Sequence, residues 1–396
     1  MNNTTPVTPW GGPDGIHSML DELASTRPEF VSNRPEQRES NTRVAPSVRV
    51  TETDAPCIVA MQKMLRDAPE APISLAQGIV HWSPPSLALE AAQAAVMLPA
   101  TSAYGADDGN PELRSMLKTK IAEQNGLTKS EIMVTTGANQ AFVNVVLTLL
   151  DAGDTAMLFK PYYFNHIMAL QMCGGGQPER EVIFGPTDGK MLPDVVALEK
   201  VLRERKASDH PVKMLVFTSP NNPTGMILPR STLESISELC VKFGVWLVMD
   251  NTYEEFTYDG NEHAAIEGDH VLNIFSFSKA YGLMGWRIGY LAYPPALAPQ
   301  LLKVQDTIPI CPCQISQHAA IGALTAGHSW VQEHVTNLGP NLLAVREALS
   351  PLGEGAVTGG EGAIYLMCRL PPQYLNDVEV VKWMAYKHGV CLIPGH

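Results

Sequence analysis

The chain has 396 residues, which is too many for one simple core and favours two domains. Its net charge is -13, from 28 basic and 41 acidic residues, and this argues against a protein that binds nucleic acid or an anionic membrane through a basic face. No apolar run reaches membrane-spanning length, and the first fifty residues are too acidic for a transit peptide, so we expect a cytoplasmic protein.

The N-terminal segment and the rest of the chain differ in composition and in hydrophobic periodicity. Residues 1–55 are rich in Pro, Ser, Thr, Asn and Arg without periodicity, which predicts a flexible arm. From about residue 70, short apolar runs alternate with amphipathic stretches. The runs that predict strands are 131–136, 155–159, 213–218, 245–249 and 271–276. Several are apolar on both faces, which indicates a mostly parallel sheet covered by helices on both sides.

One of the intervening stretches can be assigned as a helix in detail. Ser231 and Glu234 have the spacing of a capping box, and Gly244 is a helix-stopping residue. The apolar residues at helical spacing between them are Leu233, Ile236, Leu239, Cys240 and Phe243. A strand, a helix and a second strand in succession predict parallel pairing, with ligands bound beyond the carboxyl ends of the strands.

The residues that follow two of the predicted strands could bind a ligand. Small residues 137–140 follow the first strand and precede a helix, so their free N–H groups would suit a phosphate, although an ordinary tight turn has the same pattern. The loop with Asn221 and Asn222 follows the strand at 213–218, and its two Asn and two Pro residues are typical of an ordinary turn more often than of a site. Either signal alone is weak.

Two further strand ends carry ionisable groups. Asp250 and Tyr253 follow the strand at 245–249, where the carboxylate could instead be a helix cap. Lys279 follows the strand at 271–276, and burial there would lower the pKa of its amine and make it a nucleophile. Arg287 lies eight residues further on. Since these strand ends converge in space, together they offer the set of groups that a phosphorylated pyridine aldehyde needs.

The combined motifs resemble class I/II aminotransferases of fold type I, from about residue 56 to the end of the chain. They are Asn222-Pro-Thr-Gly225, Asp250-x-x-Tyr253 and Ser276-x-Ser-Lys279 with Arg287. Further motifs are similar to those of plant-type aromatic and methionine aminotransferases, namely Ser74-Leu-Ala-Gln-Gly78, Ser102-Ala-Tyr-Gly-Ala106, Thr136-Gly-Ala-Asn-Gln-Ala-Phe142, Pro161-Tyr-Tyr-Phe164, Asp250-Asn-Thr-Tyr253 and Phe275-Ser-Phe-Ser-Lys279.

The resemblance implies an aspartate-aminotransferase-like α/β fold, with a mostly parallel central sheet and a smaller α/β domain. The implied domains are the arm at 1–55, part of the small domain at 56–100, a large domain that binds pyridoxal phosphate at 101–310, and the rest of the small domain at 311–396. In this family an arginine beyond a Pro-Gly turn grips the substrate α-carboxylate. Only His396 follows Pro394-Gly395 here, so we expect a C-terminally incomplete small domain without that arginine.

The resemblance also implies catalytic roles for three residues. Lys279 would form the aldimine with pyridoxal 5′-phosphate and then move the proton at the substrate Cα. Asp250 would pair with the ring nitrogen and keep the ring an electron sink. Tyr253, together with Asn222, would hydrogen-bond the ring oxygen, and Asn222 would also contact the substrate.

The remaining implied contacts concern the phosphate, the ring face, a second subunit and the substrate. The residues that would hold the phosphate are Gly137, Ala138, Asn139, Ser276 and Arg287. Tyr163 would stack on the ring. Tyr104 would reach the phosphate of a neighbouring subunit, which implies a homodimer with shared active sites. Gly78 and Trp82 would line the substrate entrance. No metal site is expected, because the pair Cys311 and Cys313 has no second pair or histidine cluster.

The resulting hypothesis is an aminotransferase that moves an amino group between an aromatic or sulfur-containing L-amino acid and a 2-oxo acid by ping-pong chemistry. Two alternatives share every cofactor contact: a C–S β-lyase, and an enzyme like aminocyclopropane-carboxylate synthase. A third alternative is a catalytically impaired protein that only binds pyridoxal phosphate.

Overall fold

The structure, a computed structural model, describes residues 45–173, 182–374 and 376–395. Most of the predicted N-terminal arm, residues 1–44, and the final His396 lie outside the described residues. The remainder of the arm contains a short helix, Val48–Glu52. The backbone N–H of Asp54 donates to Gln171 Oε1 at 3.0 Å, and Gln171 Nε2 donates to the Asp54 carboxylate at 2.9 Å. This end of the predicted arm is therefore anchored.

The described residues contain a central seven-stranded sheet and two two-stranded sheets. The strands in chain order are β1 (Ile73–Ser74), β2 (Glu131–Thr135), β3 (Thr155–Leu158), β4 (Val182–Phe184), β5 (Val212–Thr218), β6 (Trp246–Asp250), β7 (Val271–Ser276), β8 (Gly289–Tyr293), β9 (Val357–Gly359), β10 (Leu366–Cys368) and β11 (Val390–Cys391). The central sheet has the order β2-β8-β7-β6-β5-β3-β4, and β8 alone runs antiparallel to its neighbours β2 and β7. The five predicted strands and the mostly parallel sheet are confirmed.

Helices pack around the central sheet and beside the small sheet of β1 and β11. They are α1 (Val48–Glu52), α2 (Cys57–Asp67), α3 (Ser86–Val96), α4 (Pro111–Asn125), α5 (Gly137–Leu149), α6 (Phe164–Cys173), α7 (Val195–Lys206), α8 (Arg230–Phe243), α9 (Ala298–Thr307), α10 (Gln314–Ala326), α11 (His328–Thr336), α12 (Gly339–Leu349) and α13 (Asp377–His388). Alternate residues of β5 enter different clusters: Val216 packs with α5 and α6, and Leu215 packs with α7 and α8. Helices thus cover both faces, as the apolar strands require.

The predicted capping box of α8 is wrong, although the helix and its end are confirmed. The helix begins at Arg230, after Pro229, so Ser231 lies inside the first turn and cannot be the cap. Glu234 Oε1 instead lies 3.8 Å from the Arg230 guanidinium. Gly244 ends the helix with a φ of 72°, a left-handed conformation that glycine adopts at low cost.

Two contacts join distant parts of the chain outside the central sheet. Strand β1 pairs in parallel with β11, and the cluster around Met61 and Cys391 brings α2 against α13. Helix α3 crosses α10 closely, because Gly322 has no side chain to collide with the backbone at Leu87. The predicted domain boundaries stay a prediction. Within the described residues, no helix is both long and apolar enough to cross a membrane.

A buried ion cluster supports the loop that follows β6. Lys120 Nζ lies 2.6 Å from Glu254 Oε1 and 3.4 Å from Glu255 Oε1, and all three side chains are almost fully buried. Asn125 donates to the second oxygen of Glu254 at 2.7 Å, and His328 Nδ1 lies 3.1 Å from Glu255 Oε2. These contacts hold the loop against α4 and α11.

Candidate active site

Asp250 lies at the carboxyl end of β6, in the middle of the central sheet. It is in register with Thr218 at the end of β5 and with Ile274 near the end of β7. The loops that leave these two neighbouring strands therefore flank Asp250. This register brings together the strand ends that the sequence analysis singled out.

The Asp250 carboxylate is buried and hydrogen-bonded on both oxygens. Its Oδ2 lies 3.1 Å from His166 Nε2, and its Oδ1 accepts the backbone N–H of Thr252 at 3.0 Å. Burial by itself would raise the pKa of Asp250, but the hydrogen bond and charge of His166, helped by Thr252, outweigh it and hold the pKa below its usual value. Asp250 thus stays a carboxylate that can pair with a cation.

His166 is a site residue that the sequence analysis missed. It lies on α6, three residues after Tyr163, and its ring packs at 4.3 Å from the ring of Phe142 and at 5.2 Å, edge-on, from Tyr163. The only signal in the sequence was helical spacing, since residues three apart share a helix face. A lone histidine at that spacing does not reveal that a carboxylate from another strand will meet it.

Lys279 follows β7 and is partly buried. Its Nζ donates to the backbone carbonyl of Gly78, and the N–H of Ser278 donates to Ser276 Oγ at 3.1 Å, which shapes the turn before it. Burial, and then the positive charge of Arg287, lower the pKa of Lys279 to about 8. A fraction of the amine is therefore uncharged and nucleophilic near neutral pH.

Arg287 meets the N-terminus of α5. Gly289 is paired with both Thr135 and Ser276, so the starts of α5 and of the loop after β7 lie side by side. A Cβ atom on Gly137 would collide with the Arg287 guanidinium, which places that cation directly at the helix N-terminus. Arg287 itself has a φ of 52°, and its Nη1 donates to the carbonyl of Met284 at 2.9 Å.

This cation and the helix N-terminus together form an anion site. In the part of the chain that the structure describes, no carboxylate pairs with Arg287. Gly289 leaves no room for a side chain, since a Cβ there would lie 2.8 Å from the backbone nitrogen of Ala138. Ser276, Arg287, Gly137 and Ala138 therefore converge, as predicted, and helix N–H groups beside a guanidinium bind phosphate well.

Tyr163 lies between this anion site and Asp250. Its hydroxyl donates to Asn139 Oδ1 at 3.3 Å and accepts from Asn165 Nδ2 at 2.8 Å. Asn139 belongs to the first turn of α5, and Tyr163 packs edge-on against His166, the partner of Asp250. Tyr163 thus contacts both the first turn of α5 and the histidine that is hydrogen-bonded to Asp250.

Tyr253 and Asn222 also meet, through a residue that the sequence analysis missed. The hydroxyls of Tyr253 and Tyr365 are hydrogen-bonded to each other, and Asn222 Nδ2 donates to the Tyr365 hydroxyl at 3.4 Å. A Cβ on Gly78 would collide with the same hydroxyl. Tyr365 lies about 110 residues from Tyr253 in the chain, and nothing in the local sequence marks it as a site residue.

The structure places the other predicted residues as follows. Tyr104 is 82% exposed, so its side chain is in solvent. Trp82 is only 8% exposed and stacks on Phe256 at 6.2 Å in the core cluster that includes Tyr253. Trp82 is thus a core residue behind Tyr253, and its contact with substrate stays a prediction.

These side chains fit pyridoxal phosphate. The anion site matches the phosphate, the buried Asp250 carboxylate matches a cationic ring nitrogen, and the Lys279 amine of lowered pKa matches an aldehyde. Among the described residues, no group of three or more His, Cys, Asp or Glu side chains could hold a metal ion.

Comparison with known proteins identifies the family. The family model of aminotransferase class I and II matches residues 71–396. The aromatic aminotransferase ISS1 of Arabidopsis thaliana is 48% identical over 353 residues, 88% of each chain. The aspartate/prephenate aminotransferase of Thermus thermophilus is 30% identical, over 82% of this chain and 83% of its own.

Solved structures agree with this assignment. The aspartate aminotransferase from Thermus thermophilus with maleate superposes with a TM-score of 0.79 at 28% identity, over 89% of this chain and 92% of that one. The aromatic aminotransferase from Pyrococcus horikoshii has a TM-score of 0.74 at 27% identity, over 84% and 89% of the two chains. The chain belongs to the class I and II aminotransferases, and it is a pyridoxal-phosphate-dependent aminotransferase of the aspartate aminotransferase fold.

Proposed function

We propose that this aminotransferase moves the amino group of an aromatic L-amino acid to a 2-oxo acid in two half-reactions at one site. The observation that carries the proposal is the convergence of the Lys279 amine, the Asp250 carboxylate and the Arg287 anion site at one end of the sheet. The preference for aromatic donors is supported by the 48% identity to a protein named an aromatic aminotransferase. Sulfur-containing donors are a second class that the motif resemblance favours.

Two residues carry the chemistry of the proposed cycle. When bound, pyridoxal phosphate supplies an aldehyde for attachment of the amino group and a cationic ring that accepts electrons. Asp250, held ionised by His166, keeps a positive charge on the ring nitrogen. Lys279 Nζ, uncharged in part near neutral pH, takes the proton from the substrate Cα and returns it.

The other residues position the cofactor. Arg287 and the N–H groups at the start of α5 would hold the phosphate, and Tyr163 would stack on the ring. Tyr253 and Asn222 would hydrogen-bond the ring oxygen. These contacts use binding energy far from the reacting carbon to orient it, which is how remote groups raise the turnover rate.

A homodimer with shared sites is part of the proposal. Tyr104 is 82% exposed, and the segment that carries it is held by Gln305, whose Nε2 donates to the carbonyl of Asp107 at 3.0 Å. A large phenol that is held outward on a fixed segment suits a contact with a neighbouring protomer. Sedimentation equilibrium of the holoenzyme should give the mass of two chains, and a monomer that retains full activity would contradict shared sites.

The substrate class is tested by a panel of donors and acceptors. Phenylalanine, tyrosine, tryptophan, methionine and aspartate should each be offered with several 2-oxo acids, and amino-group transfer to the acceptor measured by chromatography. We expect the highest kcat/KM for an aromatic donor and no transfer by Lys279→Ala. A preference for aspartate would refute the donor assignment, and release of ammonia and pyruvate from a cysteine conjugate without transfer would favour a β-lyase.

A further inference from the structure

The hydroxyl of Tyr365 touches three groups of the proposed site at once. It is hydrogen-bonded to the Tyr253 hydroxyl, it accepts from Asn222 Nδ2 at 3.4 Å, and it abuts Gly78. Gly78 in turn supplies the carbonyl that accepts from Lys279. Such a concentration of contacts on one hydroxyl exceeds what packing of an aromatic ring requires.

The position of Tyr365 is set by the backbone around it. The segment before β10 is bound to two loops of the central sheet domain: the N–H of Gly362 donates to the carbonyl of Gly225 at 2.8 Å, and that of Ala363 to the carbonyl of Phe256 at 3.0 Å. Ala363 has a φ of 55°, a conformation that side chains rarely adopt and that needs support from its surroundings. This hydrogen-bonded backbone segment, residues 362–365, is called the strap below. It holds the Tyr365 ring against Tyr253.

The direction of the hydrogen bonds follows from a count of protons. Each phenol has one proton, and Asn222 donates to the Tyr365 oxygen. If Tyr253 gives its own proton to the ring oxygen of the cofactor, the hydrogen bond between the two phenols must be donated by Tyr365. A hydroxyl that accepts one hydrogen bond becomes a better donor in the next, so the chain of bonds is cooperative.

We propose that Tyr365 is a positioning residue, whose hydroxyl donates to Tyr253 and so directs the Tyr253 proton onto the ring oxygen of pyridoxal phosphate. This inference rests on the proposed role of Tyr253. Burial keeps Tyr365 protonated, since it raises the pKa of that phenol. The consequence is a more strongly stabilised ring oxygen, which competes less for the proton that it shares with the nitrogen of Lys279.

The test is a spectrophotometric pH titration of the holoenzyme without substrate, which follows the absorbance of the cofactor linked to Lys279. In Tyr365→Phe the titration midpoint should rise by about 0.5 to 1 pH unit, the effect of one lost hydrogen bond. Tyr253→Phe should raise it further, because it removes the direct donor. In the double variant Tyr365→Phe should add nothing, because it acts only through Tyr253.

Tyr258→Phe is the matched control. Its hydroxyl donates to the carbonyl of Ala363 at 2.8 Å, in the same strap, yet it does not reach the site groups. We expect an unchanged midpoint. A midpoint unchanged in Tyr365→Phe, or a rise that persists in the Tyr253→Phe background, would overturn the role of Tyr365. A midpoint unchanged in Tyr253→Phe would instead refute the proposed contact of Tyr253.

Discussion

The amine of Lys279 should be reactive near neutral pH in the apoprotein, before any cofactor is bound. Burial and the nearby Arg287 charge lower the pKa of Lys279 to about 8. At pH 7 about one amine in ten would then be uncharged, against about one in 2,500 for an ordinary lysine of pKa about 10.4. The structure therefore predicts that the uncharged fraction of the Lys279 amine at pH 7 is roughly 250 times that of an ordinary lysine.

The assay uses an aldehyde that lacks a phosphate, so that the anion site does not contribute. Apoprotein is treated with pyridoxal and cyanoborohydride from about pH 6 to pH 10, and modification of each lysine is measured by peptide mass spectrometry. Labelling of Lys279 should rise with pH around a midpoint near 8, because only the uncharged amine reacts. Lys200, which is 77% exposed, provides an internal control in the same digest.

Arg287→Gln separates the two causes of the shift. In this variant the labelling midpoint of Lys279 should rise toward that of an ordinary lysine. The rise should be less than half of the difference between the two midpoints, because burial is the larger cause of the lowered pKa. A wild-type midpoint near 10, or labelling of Lys279 no faster than that of Lys200 at pH 7, would refute the reasoning.

Three other variants test the site and its support. His166→Phe removes a charge-assisted hydrogen bond worth about 1.5 to 3 kcal/mol and so should raise the pKa of Asp250, moving the acid limb of the kcat profile up by about 1 to 2 pH units. Gly137→Ala places a Cβ against Arg287, and equilibrium dialysis should show cofactor affinity lowered at least about tenfold. Lys120→Met removes the buried ammonium that pairs with Glu254 and Glu255 and leaves Glu254 without a cationic partner, and urea unfolding should show a loss of about 3 to 5 kcal/mol.

Two of these variants have a control that separates the mechanism from a general loss of fold. Gly126→Ala introduces a side chain at a similarly left-handed φ, 72° against 79° at Gly137, but with nothing within 4 Å, so it should cost about 1 kcal/mol of stability and leave cofactor affinity unchanged. Lys200→Met removes an exposed pair and should leave unfolding unchanged. Equal losses of affinity in the two glycine variants, equal losses of stability in the two lysine variants, or an unmoved acid limb in His166→Phe would contradict the respective arguments.

The five predicted strands of the central sheet could be identified from local sequence. Strands such as 213–218 are apolar on both faces because helices cover both sides. A continuous apolar run of this kind can be recognised from the sequence without tertiary information. Gly244 ended α8 as predicted, but the capping box did not form, because Pro229 is the N-cap residue and the helix starts at Arg230, one residue before Ser231. Strand β8 was not predicted, since its five residues follow a Gly-rich turn that has no clear boundary.

The site residues predicted from residue patterns, before the resemblance was considered, are those near the ends of strands. Lys279, Asp250 and the start of α5 converge because β2, β6 and β7 run in the same direction, so their carboxyl ends lie at one end of the sheet. The resemblance then named the chemistry. No such rule applies to a residue whose role depends on a partner from another element.

His166 and Tyr365 are of that second kind. His166 meets Asp250 across 84 residues, and Tyr365 meets Tyr253 across 112, through packing of α6 and of the strap before β10 against the sheet. Trp82, which was expected at the substrate entrance, packs on Phe256, a partner that its local sequence does not show, and its contact with substrate stays a prediction. The sequence by itself determined the periodic elements and the strand-end ligands, because these depend on near neighbours in the chain. Only the tertiary structure decided which polar groups meet, because hydrogen-bond partners are set by distances between elements far apart in sequence.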